Sequence, residues 1–413
     1  MLNSPAPRRR QFLAGAASLG ATFLARPARA QEQTIRIGVL TDLNGPYAAN
    51  TGRPSVVGTR MAAEDFMQAN PGIKVEVIEA EFQLKPDIAV AIAREWFDTK
   101  GVDMVIDVPL SSAALAVAGM VREKDKVAMF TGTASSLLTG KECGPNHVHW
   151  VYDTWSVSAS SGRALVADGG DTWFFILADY AFGHSLANDT TAIVEKAGGR
   201  VLGRVATPFP GTTDFSAALV QAQASGAKVI ALANGGSDTI NCVKQAAEFG
   251  INKKHRLVAM TSTITDVHPL GLQAAEGLSV SEAFYWNLND ATRAFSARMS
   301  PRISGAKPNG LQAGNYSATL HYLKAAAALG PAQAKASGRA AIAQMKATPT
   351  DDPVFGKGEL RPDGRKTHPF YLFRVKAPSE SKQPWDYFDL LRTIPADQAF
   401  RPLNEGGCPL VKA

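Results

Sequence analysis

Six times along the 413 residues a short, uninterrupted apolar run ends in a cluster of small polar residues and passes into a helical pattern. The runs are residues 35–40, 104–108, 127–130, 173–177, 229–232 and 257–260. A run that does not alternate with polar residues is buried on both faces. In a chain that interleaves such runs with helices, this means a parallel sheet between two helix layers. Ligands of such sheets bind beyond the carboxyl ends of the strands. All six polar clusters fall there, and a break at residues 139–146 divides them three and three. The pattern predicts an α/β fold of two doubly wound lobes facing one ligand.

Residues 1–30 read as a targeting segment rather than as fold. Arg8, Arg9 and Arg10 precede an uncharged stretch, and Ala28-Arg29-Ala30 offers an A-x-A site with cleavage after Ala30. The apolar stretch falls short of the about 20 residues needed to span a bilayer. Arg9-Arg10-Gln11-Phe12-Leu13 resembles a twin-arginine export signal, with an ordinary Sec signal with a basic start as the alternative, and a periplasmic location is expected. Five arginines and no acids lie in this segment, and its removal takes the net charge from +6 to +1. The high pI is therefore a feature of export and gives no support to binding of nucleic acid or of a membrane surface. Three cysteines in an exported chain permit one disulfide and one free thiol. Cys242 lies in a helical pattern and reads as a small buried hydrophobe. Cys143 and Cys408 both sit in glycine- and proline-containing loops and are the expected pair.

The organisation repeats itself. Residues 34–152 and 284–350 are assigned to the first lobe, 153–283 and 351–400 to the second, and 401–413 to a tail returning to the first. Crossings are expected near Tyr152, Phe284 and Thr350, the last in a turn and linker over residues 348–353. Late strands are expected at 370–376 and 387–392. The Asp214 carboxylate is placed to cap the helix that runs to Ala224.

With these features in place, the chain resembles the type I periplasmic solute-binding proteins of ABC importers, in the group of the leucine/isoleucine/valine-binding protein. Residues 35–42 with Gly45-Pro46-Tyr47 resemble the family's opening, and Gly356-Lys357-Gly358 with Pro362-Asp363-Gly364-Arg365 its late strands. Residues 107–114, 149–154, 178–184, 264–268, 282–286 and 405–411 resemble a branch of alphaproteobacterial type that takes up aromatic acids such as p-coumarate and benzoate. Thr131-Gly132-Thr133 departs from the Asn- or Gly-rich turn expected there, which alters one pocket wall. The resemblance implies a hinged, non-enzymatic trap without cofactor or metal. It also implies a small carboxylated ligand, a separate membrane permease as partner, and action as a monomer.

In that family hydroxyls and backbone N–H groups of the first lobe hold the ligand's carboxylate. Ser111, Ser112, Thr133 and Ser135 stand where strands hand over to helices, whose N-termini favour an anion; plain N-capping is the alternative. Tyr47, Tyr152, Tyr180 and Phe182 fall at lobe edges or crossings. They either sandwich an aromatic ring or pack lobe on lobe. Asp179, Asn234 and Asp266 are placed to bond the ligand's far end. A phenol hydroxyl suits them, and so does an α-ammonium, so a branched-chain amino acid is the alternative ligand, with urea or an amide behind it. An exported hydrolase is the reading from another class. Ser225 with Lys228 and Ser304 with Lys307 match S-x-x-K, but without partner motifs. His147 and His149 share a strand face, but no HExxH or CxxC accompanies them. No nucleophile can be assembled beside a base.

Overall fold

The structure, a computed structural model, describes residues 33–412. The export signal and cleavage site expected in residues 1–30 lie outside the described residues. Five parallel strands make the first sheet: β1 (Gln33–Thr41), β2 (Ile73–Glu81), β3 (Met104–Asp107), β4 (Val127–Phe130) and β5 (His147–His149). Their order is β2-β1-β3-β4-β5. Successive side chains go to opposite faces. Met104, Ile106, Val127 and Met129 join one apolar cluster, while Val105, Ala128 and Phe130 join another. Burial on both faces explains why these runs lack polar alternation.

The second sheet holds β6 (Thr172–Ala178), β7 (Arg200–Thr207), β8 (Val229–Ala233), β9 (Arg256–Ala259) and β10 (Ser279–Glu282). A short separate sheet follows in the chain, with β11 (Thr350–Asp352), β12 (Gly356–Leu360) and β13 (Lys366–Thr367). The last strands, β14 (Phe370–Val375) and β15 (Phe388–Ile394), complete the second sheet in the order β15-β14-β10-β9-β8-β6-β7. All six apolar runs are strands, three in each sheet, and no sheet contains both Val39 and Ile176. Helix Ser216–Ala224 begins just after Asp214, whose carboxylate accepts the Ser216 N–H at 2.9 Å.

The first crossing follows β5 at residues 150–153 and the second follows β10 at residues 283–289. The third is not at Thr350. Residues 348–353 do not form a linker, because β11 pairs with β12, and β12 with β13. This hairpin then joins the first lobe: Arg365 bridges to His149, and the His149 N–H reaches the Gly364 carbonyl at 2.9 Å. The chain crosses only at His368 and Pro369, so residues 351–367 sit with the first lobe and not, as expected, with the second. First and third passages are bonded together. The wholly buried Arg365 guanidinium donates to the Tyr152 carbonyl at 2.9 Å and lies 3.5 Å from the Asp153 carboxylate. His368 Nε2 donates to the Val151 carbonyl at 2.8 Å.

The tail returns to the first lobe through a Cys143–Cys408 disulfide with a Cα–Cα distance of 5.6 Å. Cys242 is a free, buried thiol, as its helical context implied. His147 and His149 are wholly buried, and their Nε2 atoms donate to the carbonyls of Leu138 (2.9 Å) and Thr133 (2.7 Å). Both rings serve loop packing, and burial pushes the His147 imidazole down to about 4.

Candidate functional site

The loop after β1 is wound around one carboxylate. Asp42 accepts the N–H groups of Gly45 at 2.7 Å and Tyr47 at 2.8 Å. A Cβ on Gly45 would lie 2.6 Å from Asp42 Oδ1, so the tight wrap requires glycine. The loop carries Tyr47 across the gap between the lobes, where its hydroxyl lies 2.6 Å from that of Tyr180. Phe209, from the loop after β7, stacks on both rings at centroid distances of 5.3 Å and 4.8 Å. Burial pushes both phenols above their ordinary range, so this is a bond between neutral hydroxyls.

Behind this aromatic contact lies a cleft with about 380 Å³ of empty space, counted to its opening. The first lobe contributes Tyr47, Asn50, Thr51, Pro109, Ser111, Gly132 and Ala134, and the second Tyr180, Phe182, Gly235, Gly236 and Thr261. Tyr152 enters from the first crossing and Leu311 from helix Gly310–Leu329. No charged side chain is among these fourteen residues.

Ser111 opens helix Ser111–Lys124. Just before it, Asp107 (φ 87°) and Val108 (φ 53°) occupy the left-handed region, unusual for residues with a Cβ. Such backbone costs on the order of 1–3 kcal/mol and persists only where its surroundings fix it. Here it turns the chain sharply from β3 into the helix, whose first N–H groups have no intrahelical partners. The helix start, with Ser111, reaches the cleft wall, and the Ser111 Oγ accepts the Ser135 N–H at 3.2 Å.

Of the residues singled out in the sequence, Tyr47, Ser111, Tyr152, Tyr180 and Phe182 are brought together in the wall. The other six stand elsewhere. Ser112 is half-buried outside the wall. The Thr133 hydroxyl donates to the Val108 carbonyl, and that of Ser135 meets Ser185 Oγ at 2.9 Å across the lobes. Asp179 is exposed and pairs with His184 at 2.8 Å. Asn234 accepts from Thr239 Oγ1 at 2.7 Å behind the wall. Asp266 is buried, accepting the Thr263 N–H and Asn50 Nδ2, each at 2.8 Å. It therefore bonds lobe to lobe, and burial pushes its carboxyl up to about 6. Gly132, Ala134, Gly235, Gly236 and Thr261 were missed although they lie in the strand-end clusters, because small side chains carry no chemical signature. Leu311 comes from a distant helix and had no sequence signal.

The periplasmic binding protein family matches residues 34–383. No curated protein matches the chain. A periplasmic binding protein from Burkholderia mallei is 41% identical with a TM-score of 0.87, covering 92% of this chain and 100% of that one. A branched chain amino acid ABC transporter periplasmic ligand-binding protein from Burkholderia xenovorans is 40% identical with a TM-score of 0.80, covering 91% and 99%. A solute binding protein of an ABC transporter from R. palustris, in complex with 4-hydroxybenzoate, is 22% identical with a TM-score of 0.78, covering 88% and 97%; its likeness is one of fold.

Proposed function

Since this chain belongs to the periplasmic binding protein family, whose members catch small solutes for the membrane permeases of ABC transporters, we propose that its own ligand is a small aromatic acid. The lobes close on the ligand, with its carboxylate at the Ser111 helix start and its ring between Tyr152, Tyr180 and Phe182. One observation carries this reading: the cleft wall holds four aromatic rings and no charged side chain. Stacked rings suit an aromatic body. N–H and hydroxyl donors without a cation hold a carboxylate reversibly, as a carrier must. A branched-chain amino acid would bring an α-ammonium into a wall without an acid, and burying an unpaired charge is costly. The 40% identity to a branched chain amino acid transporter's binding protein keeps that ligand as the competitor to test. In this reading the protein acts as a monomer, exported by the twin-arginine route through Arg9 and Arg10 and cleaved after Ala30.

Calorimetry with benzoate, cinnamate, their 4-hydroxy derivatives, leucine and urea tests the ligand class. An aromatic acid is expected to bind at micromolar affinity or better, about −8 kcal/mol. Ser111→Ala should weaken it about tenfold, the cost of one hydrogen bond to a charged group. Binding of leucine with no response to any aromatic acid would replace the ligand class, and turnover of a bound compound would end the carrier reading.

A further inference from the structure

One contact between the lobes is short of a donor. Asn50, in the loop after β1, lines the cleft, and Asp266 lies in the first turn of helix Ile264–Leu270 in the second lobe. Both side chains are buried, with relative exposures of 5% and 0%. Asn50 Nδ2 donates to Asp266 Oδ2 at 2.8 Å and to Thr263 Oγ1 at 3.1 Å, which uses both of its hydrogens. Asn309, the cap of helix Gly310–Leu329, donates to the Asn50 carbonyl at 2.9 Å and to Thr265 Oγ1 at 3.0 Å. Asp266 Oδ2 also accepts the N–H and the hydroxyl of Thr263, at 2.8 Å and 3.1 Å. Asp266 Oδ1 and Asn50 Oδ1, both buried, have no donor among the described residues. Turning the amide over does not supply one. It would set the amide oxygen 2.8 Å from Asp266 Oδ2, two acceptors that only a proton can join.

We propose that Asp266 is a proton-binding site of the closed form, so that the protein captures a proton together with its ligand and returns it on release. This rests on closure of the lobes and not on the class of ligand. Parting the lobes takes Asn50 away from Asp266 and lets water reach the carboxyl, whose bonds to Thr263 lie within the second lobe and persist. Closing strips that water, and a buried carboxylate oxygen without a donor is costly. The bonded amide and carboxyl have only acceptors left, so the one donor the pair can gain is a proton on the carboxyl. Burial accordingly pushes the Asp266 carboxyl from 3.8 up to about 6. The titratable groups facing it are Glu282, from the end of β10, and Tyr152, from the first crossing. Burial holds Glu282 up to about 8 and Tyr152 above its ordinary range, so both keep their protons between about pH 5 and 7. A closed form that holds the proton more tightly than the open form binds ligand more tightly as pH falls through about 6.

The test is calorimetry with benzoate and with leucine, one from each competing ligand class, in buffers of differing protonation enthalpy. Binding at about pH 5 should take up close to one proton, and the Kd there should be about tenfold lower than at about pH 7. Asp266→Asn is neutral at every pH. It should bind about tenfold or more tightly than wild type at about pH 7, with a Kd that changes less than about twofold between the two pH values. An Asp266 that is ionised in the closed form gives the opposite sign, because the variant then loses a hydrogen bond to a charged group and binds about tenfold more weakly. A variant Kd at about pH 7 equal to or weaker than wild type therefore overturns the proposal. If the variant does not fold, the wild-type proton count decides: fewer than about half a proton overturns it, and more supports it. X-ray scattering separates the site from the closure it rests on. Compaction with ligand but without proton uptake overturns the proton site and leaves closure standing, whereas binding without compaction overturns both.

Discussion

Closure of the cleft is held partly from outside it, and Ser136→Ala tests this. Ser136 follows β4 in the first lobe and does not touch the cleft. Its hydroxyl donates to Asp189 Oδ2 at 2.7 Å and accepts from Arg401 Nη2 at 2.9 Å. Asp189 belongs to helix Ala181–Lys196 of the second lobe and accepts two further bonds, from Thr154 Oγ1 and Arg401 Nη2, both at 2.6 Å. The Ser136–Asp189 bond exists only while the lobes are together. A hydrogen bond to a charged group is worth about 1.5–3 kcal/mol. Because Asp189 keeps two partners, the loss should lie at the low end, about 1.5–2 kcal/mol, or about 12–30-fold in Kd. Stopped-flow binding should place the loss in the dissociation rate, with association changed little. A Kd within about twofold of wild type, or a loss carried by association, would refute the argument that this contact holds the bound state.

Three other outcomes follow from the geometry. Gly236 sits at φ 59°, and a Cβ there would lie 2.3 Å from the Pro46 carbonyl of the opposite lobe. Gly236→Ala should hold the lobes apart, weakening ligand about a hundredfold (~2.7 kcal/mol), and X-ray scattering should show no compaction with ligand; normal affinity would be incompatible with this closure. Burial raises the Glu282 carboxyl from 4.5 to about 8, so the folded chain keeps a proton that the unfolded chain releases. Stability should therefore fall as pH rises from about 4.5 to about 8, by at most about 1.4 kcal/mol per unit for this group. Asp238 (about 7) and Asp266 (about 6) act in the same sense. Melting curves of Glu282→Gln between pH 7 and 8 should show a flatter decline than wild type, and an identical slope would exclude Glu282 as the source. Finally, Cys408→Ser opens a loop of 265 residues and should cost about 2–5 kcal/mol of stability. Thiol titration of the oxidised protein in denaturant should find Cys242 alone, whereas three thiols would rule the bridge out.

The two sheets were legible because double burial strips polar residues from a strand, as Met104–Asp107 and Val127–Phe130 show. The aromatic half of the wall was legible because Tyr47, Tyr152, Tyr180 and Phe182 lie at strand ends or crossings. Depth was not legible. Asp266 and Asn234 have the chemistry of ligand contacts, but only packing decides that each points to protein. Residues 348–353 carry two prolines and two aspartates, the composition of a linker, yet β12 supplies the partner that makes β11 a strand. That partner is found by tertiary pairing, not by local pattern.

The tail carries one further consequence. Residues 395–407 run from the end of β15 in the second lobe to the disulfide at Cys143 in the first, with Arg401 midway. Helix Ala396–Ala399 and the buried Phe400 are packed in place, and residues 401–407, fully extended, span up to about 25 Å, so the lobes can part by less than that without straining the bridge. When they do, Arg401 is not released into bulk solution. A short covalent tether keeps it at an effective concentration on the order of millimolar relative to Asp189. Reclosure therefore searches a small volume, and cutting the disulfide would be felt first in the rate of rebinding contacts between the lobes, before any change in the contacts themselves.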